Sequence, residues 1–200
     1  MMRSALTTLR TLSKTVSPCV VSVNNKTLLF RHSPLLLYSS TVVPNINGNV
    51  NIEEYLKTHE ISVSDPNAPA PALTFVDSGL PDYLLDSLNR KFSSPTPIQA
   101  QALPIALSGD NMVGIGQTGS GKTLAFLLPA FLHIQKERTR LGKEAGAGGG
   151  GPLVLVLAPT RELAQQINDV ARQFRNVTKI RTVCCIGGEG RYVSYVIIGS

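Results

Sequence analysis

The sequence predicts an α/β fold in which a parallel sheet is covered by helices on both faces. Short apolar runs of strand length lie at Met112–Ile115, 153–158 and 180–186. Such nearly continuous runs of Val, Leu and Ile are typical of parallel strands buried on both sides. Segments with helical periodicity separate them, and a glycine-rich turn joins the first run to the helix that follows. This alternation of strand and helix predicts a layered architecture with right-handed crossovers.

The elements before the first strand are expected to be helical. Residues 51–60 could form a short helix, and residues 64–71, rich in Pro, Ala and Asp, are expected to be a linker. Residues 81–92 are expected to form a helix that turns three leucines inward. Thr96 is expected to cap the next helix, because Pro at position 97 suits a first helical residue.

Helices and loops are expected to alternate after the first strand as well. A helix should run from residue 122 to about 137, followed by a flexible, glycine-rich loop at 142–151. Thr160 can cap the next helix. Its expected apolar side consists of Leu163, Ile167, Val170, Ala171 and Phe174.

The positive charge of the chain is confined to its N-terminal segment. The formal net charge is +6, but five of the 19 basic residues lie in residues 1–40, which hold no acidic residue. The remaining 14 basic residues face 13 acidic ones, so net charge is no evidence for RNA binding. A basic, Ser/Thr-rich segment without acids predicts an organellar transit peptide in residues 1–40. We expect a mitochondrial protein, with the plastid as the alternative, or the nucleus or cytoplasm if the segment is an ordinary disordered tail.

The cysteines argue against a metal site or a disulfide framework, and the apolar runs argue against a membrane span. Cys19, Cys184 and Cys185 have no metal-ligand spacing and form no even-numbered framework, so we expect reduced thiols without a disulfide partner. No uninterrupted apolar run approaches the roughly 18 residues of a membrane span, and no membrane partner is expected.

The strongest motif is a phosphate-binding loop at residues 116–123, called the P-loop below. Its sequence, Gly-Gln-Thr-Gly-Ser-Gly-Lys-Thr, fits G-x-x-x-x-G-K-[ST] and lies between a predicted strand and a predicted helix. The glycines allow backbone N–H groups to point at a phosphate, and the helix adds its positive dipole end. The nucleotide-binding candidates are Thr118, Gly119, Ser120, Gly121, Lys122 and Thr123, with the Thr123 hydroxyl as a Mg²⁺ ligand. This loop predicts a nucleoside triphosphate with Mg²⁺, and kinases, GTPases, transporter ATPases and helicases all remain possible.

Two strings on either side of the P-loop narrow this choice. Phe-Ser-Ser-Pro-Thr-Pro-Ile-Gln at 92–99 resembles the Q motif of DEAD-box RNA helicases, and Pro-Thr-Arg-Glu-Leu-Ala at 159–164 resembles their motif Ia. Phe75 lies 17 residues before Phe92, where that family has an isolated aromatic residue. The resemblance covers about two-thirds of the chain. It implies a RecA-like helicase ATP-binding domain, present in part at residues 75–188 and preceded by a linker with a short helix at 41–74.

The resemblance also implies roles for individual residues. Gln99 would bind the donor and acceptor edges of adenine with its amide and so favour ATP over GTP. Phe75 and Phe92 would pack around the base. RNA contacts, to the backbone and therefore independent of base sequence, are implied for Pro159, Thr160, Arg161, Gly187 and Gly188. Accessory proteins cannot be named from the sequence.

The last twelve residues depart from the family. Residues 189–200 form a non-family tail, and no Asp-Glu-Ala-Asp sequence follows Gly188. We therefore expect a domain that is truncated, poorly stable and without ATP turnover. The codons of Val193-Ser194 can spell a splice donor, which suggests a retained intron, with a short isoform or a fragmentary gene model as alternatives.

Three hypotheses for function follow. The first is an ATP-dependent RNA helicase of the DEAD-box family, in truncated form. The second is a non-catalytic RNA- or partner-binding fragment, and the third is another P-loop enzyme such as a small-molecule kinase. Loss of adenine preference on Gln99→Ala would favour the helicase over the kinase.

Overall fold

A computed structural model describes residues 19–22, 51–141, 152–186 and 194–198. Two three-stranded sheets organise these residues. The N-terminal sheet consists of β1 (Cys19–Ser22), β2 (Ser62–Val63) and β3 (Met112–Ile115), with β1 in the centre. β1 is parallel to β3 and antiparallel to β2.

The C-terminal sheet consists of β4 (Val154–Ala158), β5 (Thr182–Cys185) and β6 (Ser194–Ile198). β6 lies in the centre and is antiparallel to both neighbours, so β4 and β5 run in the same direction without being paired. The register places Leu155 and Val183 on either side of Ile197.

The α/β class is confirmed, although most of the described strand pairings do not have the expected parallel direction. Only the β1–β3 pairing is parallel among the four pairings that the described residues make. The connection between β5 and β6 explains the antiparallel arrangement. It contains the eight residues 186–193, whereas a parallel return needs a crossover of about a dozen residues or more.

The helices agree closely with the sequence pattern. They are α1 (Ile52–Thr58), α2 (Asp82–Asn89), α3 (Pro97–Ser108), α4 (Lys122–Leu141), α5 (Arg161–Gln173) and α6 (Arg175–Thr178), with a 3₁₀ turn at Val76–Ser78. α3 and α5 begin directly after their predicted caps, Thr96 and Thr160. The short helix α6 and the strands β1, β2 and β6 were not predicted. Most of the predicted transit peptide at 1–40 and the loop at 142–151 lie outside the described residues.

The segment predicted as a linker is fastened to α3. Pro104 lies inside α3 and has no N–H, so the carbonyl of Ala100 lacks its usual helical donor. The N–H of Ala72 donates to that carbonyl instead, at 2.8 Å. Close by, the Gln101 amide donates to the carbonyl of Pro69 at 2.9 Å. The Pro-Ala segment is therefore held against the helix at two points.

Two apolar clusters form the core. The larger joins α2, α4, α5 and the C-terminal sheet, with Phe131 and Phe174 in contact at its centre, 5.7 Å between ring centroids. The smaller joins α1, α3 and β3 through residues that include Ile61, Ile98 and Met112. Along α5, Ile167, Ala171 and Phe174 are buried as predicted, while Leu163 and Val170 are half-buried.

The described residues contain neither a candidate membrane helix nor a candidate metal cluster. Within them, no helix combines the length and apolar character needed to cross a bilayer, and no three His, Cys, Asp or Glu side chains converge on one point. Cys184 and Cys185 are free and partly buried. Burial is the main cause that raises the pKa of Cys184, with smaller contributions from Cys185 and Asp169.

Candidate functional site

The P-loop connects the end of β3 to the start of α4, as predicted. Gly119 and Gly121 have φ angles of +81° and +89°, in the left-handed region that favours glycine. Gly121 is also in close contact with α3. A Cβ atom at this position would lie 2.5 Å from the Gln99 amide nitrogen and 2.8 Å from the Thr96 hydroxyl. The loop conformation therefore requires glycine here for two separate reasons.

The Lys122 ammonium is folded back over the loop. Its Nζ atom donates to the carbonyl of Gly116 at 2.6 Å, to the Ser120 hydroxyl at 3.2 Å and to the carbonyl of Gln117. Lys122 is the first residue of α4, where backbone N–H groups have no carbonyl partner within the helix. A cation and a helix N-terminus thus meet at one point, which is the arrangement that binds oxyanions.

The other P-loop residues differ in their exposure. Gln117, Thr118 and Gly119 are exposed, whereas Ser120, Gly121 and Thr123 are half-buried. Thr123 is the second residue of α4, next to Lys122. The exposed tip can therefore reach a ligand from solvent while the half-buried side of the loop is held by α3.

Gln99 ties the start of α3 to the P-loop. Its side chain is 3% exposed; Oε1 accepts from the Thr96 N–H and Nε2 donates to the carbonyl of Gly121, both at 3.0 Å. The Thr96 hydroxyl adds a bond of 2.8 Å to the carbonyl of Ser120. Donor and acceptor of the Gln99 amide are thus both engaged within the protein. To bind an adenine edge, the amide would have to exchange these partners.

The Thr96 contact was missed in the sequence. Thr96 was predicted only as a helix cap, and Gln99 only as a nucleotide contact. Yet Thr-x-x-Gln at 96–99 is itself a capping-box pattern, in which the Gln side chain returns to the cap N–H. That pattern could have predicted the hydrogen bond from the Thr96 N–H to Gln99, whereas the bonds to Ser120 and Gly121 depend on the tertiary fold.

The two predicted aromatic contacts lie in different environments. Phe92 follows α2 and is 40% exposed, so its ring is accessible to a ligand. Phe75 is 2% exposed and belongs to the larger core cluster. Lys91, which precedes Phe92, turns toward the residue that follows α5: its Nζ atom lies 5.4 Å from the Phe174 ring centroid.

The residues predicted to contact RNA follow β4. Pro159, Thr160 and Arg161 are all exposed. The Thr160 hydroxyl accepts from the N–H of Leu163 at 3.2 Å and so caps α5. Arg161 and its neighbours therefore sit at a second helix N-terminus on the surface. Gly187 and Gly188 lie outside the described residues.

Comparison with known proteins gives one consistent match. Residues 96–195, half of the chain, match the family model described as DEAD/DEAH box helicase. A relative from Arabidopsis thaliana, "DEAD-box ATP-dependent RNA helicase 20", is 46% identical over 141 residues, covering 70% of this chain and 27% of that protein. "ATP-dependent RNA helicase dbp2" from Schizosaccharomyces pombe is 46% identical over 145 residues, covering 72% of this chain and 25% of that protein. The chain spans about a quarter of the length of these relatives.

Proposed function

The chain belongs to the DEAD/DEAH box helicase family, and on this basis we propose that it contributes the ATP-binding part of an ATP-dependent RNA helicase. The observation that carries the proposal is the network joining Gln99 and Thr96 to the P-loop carbonyls of Gly121 and Ser120. A bare phosphate loop accepts any nucleoside triphosphate. A buried amide beside it can distinguish adenine from guanine, because it both donates and accepts and can exchange its bonds to Thr96 and Gly121 for the edge of the base.

The Lys122 ammonium is the first group to respond to a nucleotide. We expect it to leave the carbonyls of Gly116 and Gln117 for phosphate oxygens, which carry full negative charge and form stronger bonds with a cation. The N-terminus of α4 stabilises the same charge through its dipole.

Thr123 is the residue proposed to hold Mg²⁺. Mg²⁺ usually takes one or two protein oxygens together with substrate phosphates and water, and a single hydroxyl beside a phosphate loop fits that requirement. When bound, the ion supplies neutralisation of phosphate charge. The chain's own contribution is to place the Thr123 hydroxyl one residue after Lys122 on α4.

The exposed segment 159–161 is the proposed RNA contact. Arg161 offers a guanidinium and Thr160 a hydroxyl at the N-terminus of α5, and both groups suit phosphate and sugar oxygens. Gly187 and Gly188 are proposed to join them. Remodelling of RNA is proposed as the function of the whole protein, and an organellar, first of all mitochondrial, location is proposed from the composition of residues 1–40.

The decisive experiment compares two buried glutamines of α3. Gln99→Ala removes the amide beside the P-loop, whereas Gln101→Ala removes an equally buried amide that bonds to the Pro69 carbonyl, away from the loop. We expect the ratio of ATP to GTP affinity to fall at least tenfold for Gln99→Ala and to stay unchanged for Gln101→Ala. Titration with fluorescent ATP and GTP analogues measures this ratio. An unchanged ratio in both variants would favour a different P-loop enzyme, such as a small-molecule kinase.

Turnover is a separate question for this polypeptide. Its 200 residues contain no Asp-Glu-Ala-Asp sequence, which the family resemblance implies for magnesium and water activation. We expect the purified 200-residue chain to bind ATP and to release no phosphate, with or without RNA. A phosphate-release assay with Lys122→Ala as the blank measures this. Steady release above that blank would contradict the expectation.

A further inference from the structure

The strand β1 comes from the N-terminal segment that was predicted as a transit peptide. Its four residues lie in the centre of the N-terminal sheet, between β2 and β3. β1 pairs with β3 along its whole length, from Cys19 opposite Met112 to Ser22 opposite Ile115. A segment about 90 residues earlier in the chain thus lies directly beside the strand that leads into the P-loop.

β1 satisfies hydrogen-bonding groups that would otherwise lie open on β3. Among the described strands, β1 is the one that pairs with β3, and β2 joins the sheet only through β1. Met112 and Val113 of β3 are 3% and 6% exposed, so their backbone lies in an environment where unpaired polar groups are costly. In the described part of the chain, loss of β1 would leave β3 without a ladder.

The pairing reaches the P-loop itself. Ser22 lies opposite Ile115, and the next residue, Gly116, carries a carbonyl that accepts from Lys122 Nζ. One position earlier, Val21 lies opposite Gly114, where an added Cβ atom would lie 3.6 Å from Ile98 of α3. β1 therefore pairs with the strand that leads to the Gly116 carbonyl holding Lys122 and that lies beside the helix carrying Gln99.

We propose that residues 19–22 are a docking strand, which completes the sheet beneath the P-loop and on which nucleotide affinity depends. The sequence around β1 suits this role, because Pro18 precedes it and Asn24-Asn25 follow it, and both favour strand ends. The proposal rests on the proposed nucleotide binding. It also divides the predicted transit peptide: a targeting segment must end before Cys19 if the mature protein is to keep the strand. The basic residues Arg3, Arg10 and Lys14 all precede that point.

The test uses two proline variants of the full chain. Val21→Pro removes an N–H from the centre of β1, where proline is not tolerated. Val42→Pro makes the same chemical change outside the strand. Hydrogen exchange followed by mass spectrometry reports on the amides of β3, and titration with mant-ATP reports on nucleotide affinity. We expect exchange in β3 at least tenfold faster and mant-ATP binding several-fold weaker for Val21→Pro, with Val42→Pro matching the unmodified chain.

Hydrogen exchange at the amides of α5 distinguishes local loss of β1 from unfolding of the whole protein. If Val21→Pro speeds hydrogen exchange in α5 as well as in β3, the milder Val21→Gly variant is used instead. We again expect faster exchange in β3. Equal β3 exchange in the strand variant and Val42→Pro overturns the docking strand. Faster β3 exchange with unchanged mant-ATP affinity overturns its link to the nucleotide. Failure of the unmodified chain to bind mant-ATP would instead overturn the proposed function, since exchange in β3 needs no nucleotide.

Discussion

Gly121 is held more tightly than the other left-handed glycine of the P-loop. Its carbonyl accepts from Gln99, and an added Cβ would lie within 3 Å of both Gln99 and Thr96. Gly119 has a similar φ angle, but no atom lies within 4 Å of the position of its Cβ. Substitution of each glycine by alanine therefore distinguishes two costs: backbone strain, which both positions share, and steric overlap, which arises at Gly121.

We predict that Gly121→Ala costs more stability than Gly119→Ala. A left-handed alanine costs about 1–2 kcal/mol, which both variants share. Gly121→Ala also displaces the Gln99 and Thr96 contacts, at about 1 kcal/mol for each hydrogen bond. We expect a difference of about 2 kcal/mol in the free energy of unfolding, measured by denaturant titration. Equal losses would show that Gln99 moves aside without cost.

Individual side chains were predictable where the chemistry is local. The P-loop residues and the caps Thr96 and Thr160 follow from short patterns, because their partners lie within a few positions. Phe75 was not predictable in this way. An isolated aromatic residue has the same sequence pattern whether it packs in a core or against a base, and the fold places this one among core residues.

α5 depends on one residue for its start. The Thr160 hydroxyl accepts from the N–H of Leu163, and Arg161, the proposed RNA contact, is the first residue of the helix. Loss of the hydroxyl should therefore loosen the first turn as well as remove a polar group from the surface.

We predict that Thr160→Ala destabilises the protein by about 1 kcal/mol, the usual cost of losing an N-cap. Thr160→Ser keeps the hydroxyl and should remain within a few tenths of a kcal/mol of the unmodified chain. Thermal unfolding measures both. A Thr160→Ser variant as unstable as Thr160→Ala would assign the effect to the lost methyl group.

Most elements could be predicted from the sequence, and the exceptions share a cause. α3 and α5 have capping residues directly before them, so the positions at which they begin follow from local rules. β1 and β6 have four and five residues. β1 pairs with the distant strands β2 and β3, and β6 pairs with the distant β4 as well as with the nearby β5. Such non-local pairing leaves little trace in the local sequence.

The C-terminal sheet is covered on one side. Val154, Val156, Val196 and Ile198 belong to or pack against the core cluster, beneath α5. On the opposite side, Leu155, Leu157 and Val183 are 50%, 57% and 55% exposed. A sheet with one solvated face normally has polar residues on that face, and exposed apolar patches promote association.

We predict that the 200-residue chain self-associates through this face. Leu157→Thr should shift the protein toward monomer and change stability by no more than about 0.5 kcal/mol, because the side chain is largely exposed. Val156→Thr is the matched control, since its side chain packs against the core. It should lower stability without reducing association. Analytical ultracentrifugation over a concentration series separates the two, and a monomeric unmodified chain would contradict the prediction.

The architecture of the whole molecule was predicted in class but not in pairing. The α/β composition, the P-loop between β3 and α4, and the order of β4, α5 and β5 all follow from the sequence. The arrangement of strands does not, because it depends on which segments are available to fill each sheet. Here an N-terminal segment and residues 194–198 occupy the two central positions.

Pro104 permits a hydrogen bond between Ala72 and α3 that other residues at this position would weaken. Because proline has no N–H, the carbonyl of Ala100 is free to accept from the N–H of Ala72. This hydrogen bond holds the Pro-Ala segment against α3. Any other amino acid at position 104 would bring a backbone N–H, which would compete with the N–H of Ala72 for the carbonyl of Ala100. How firmly residues 69–72 are held against α3 thus depends in part on a single codon.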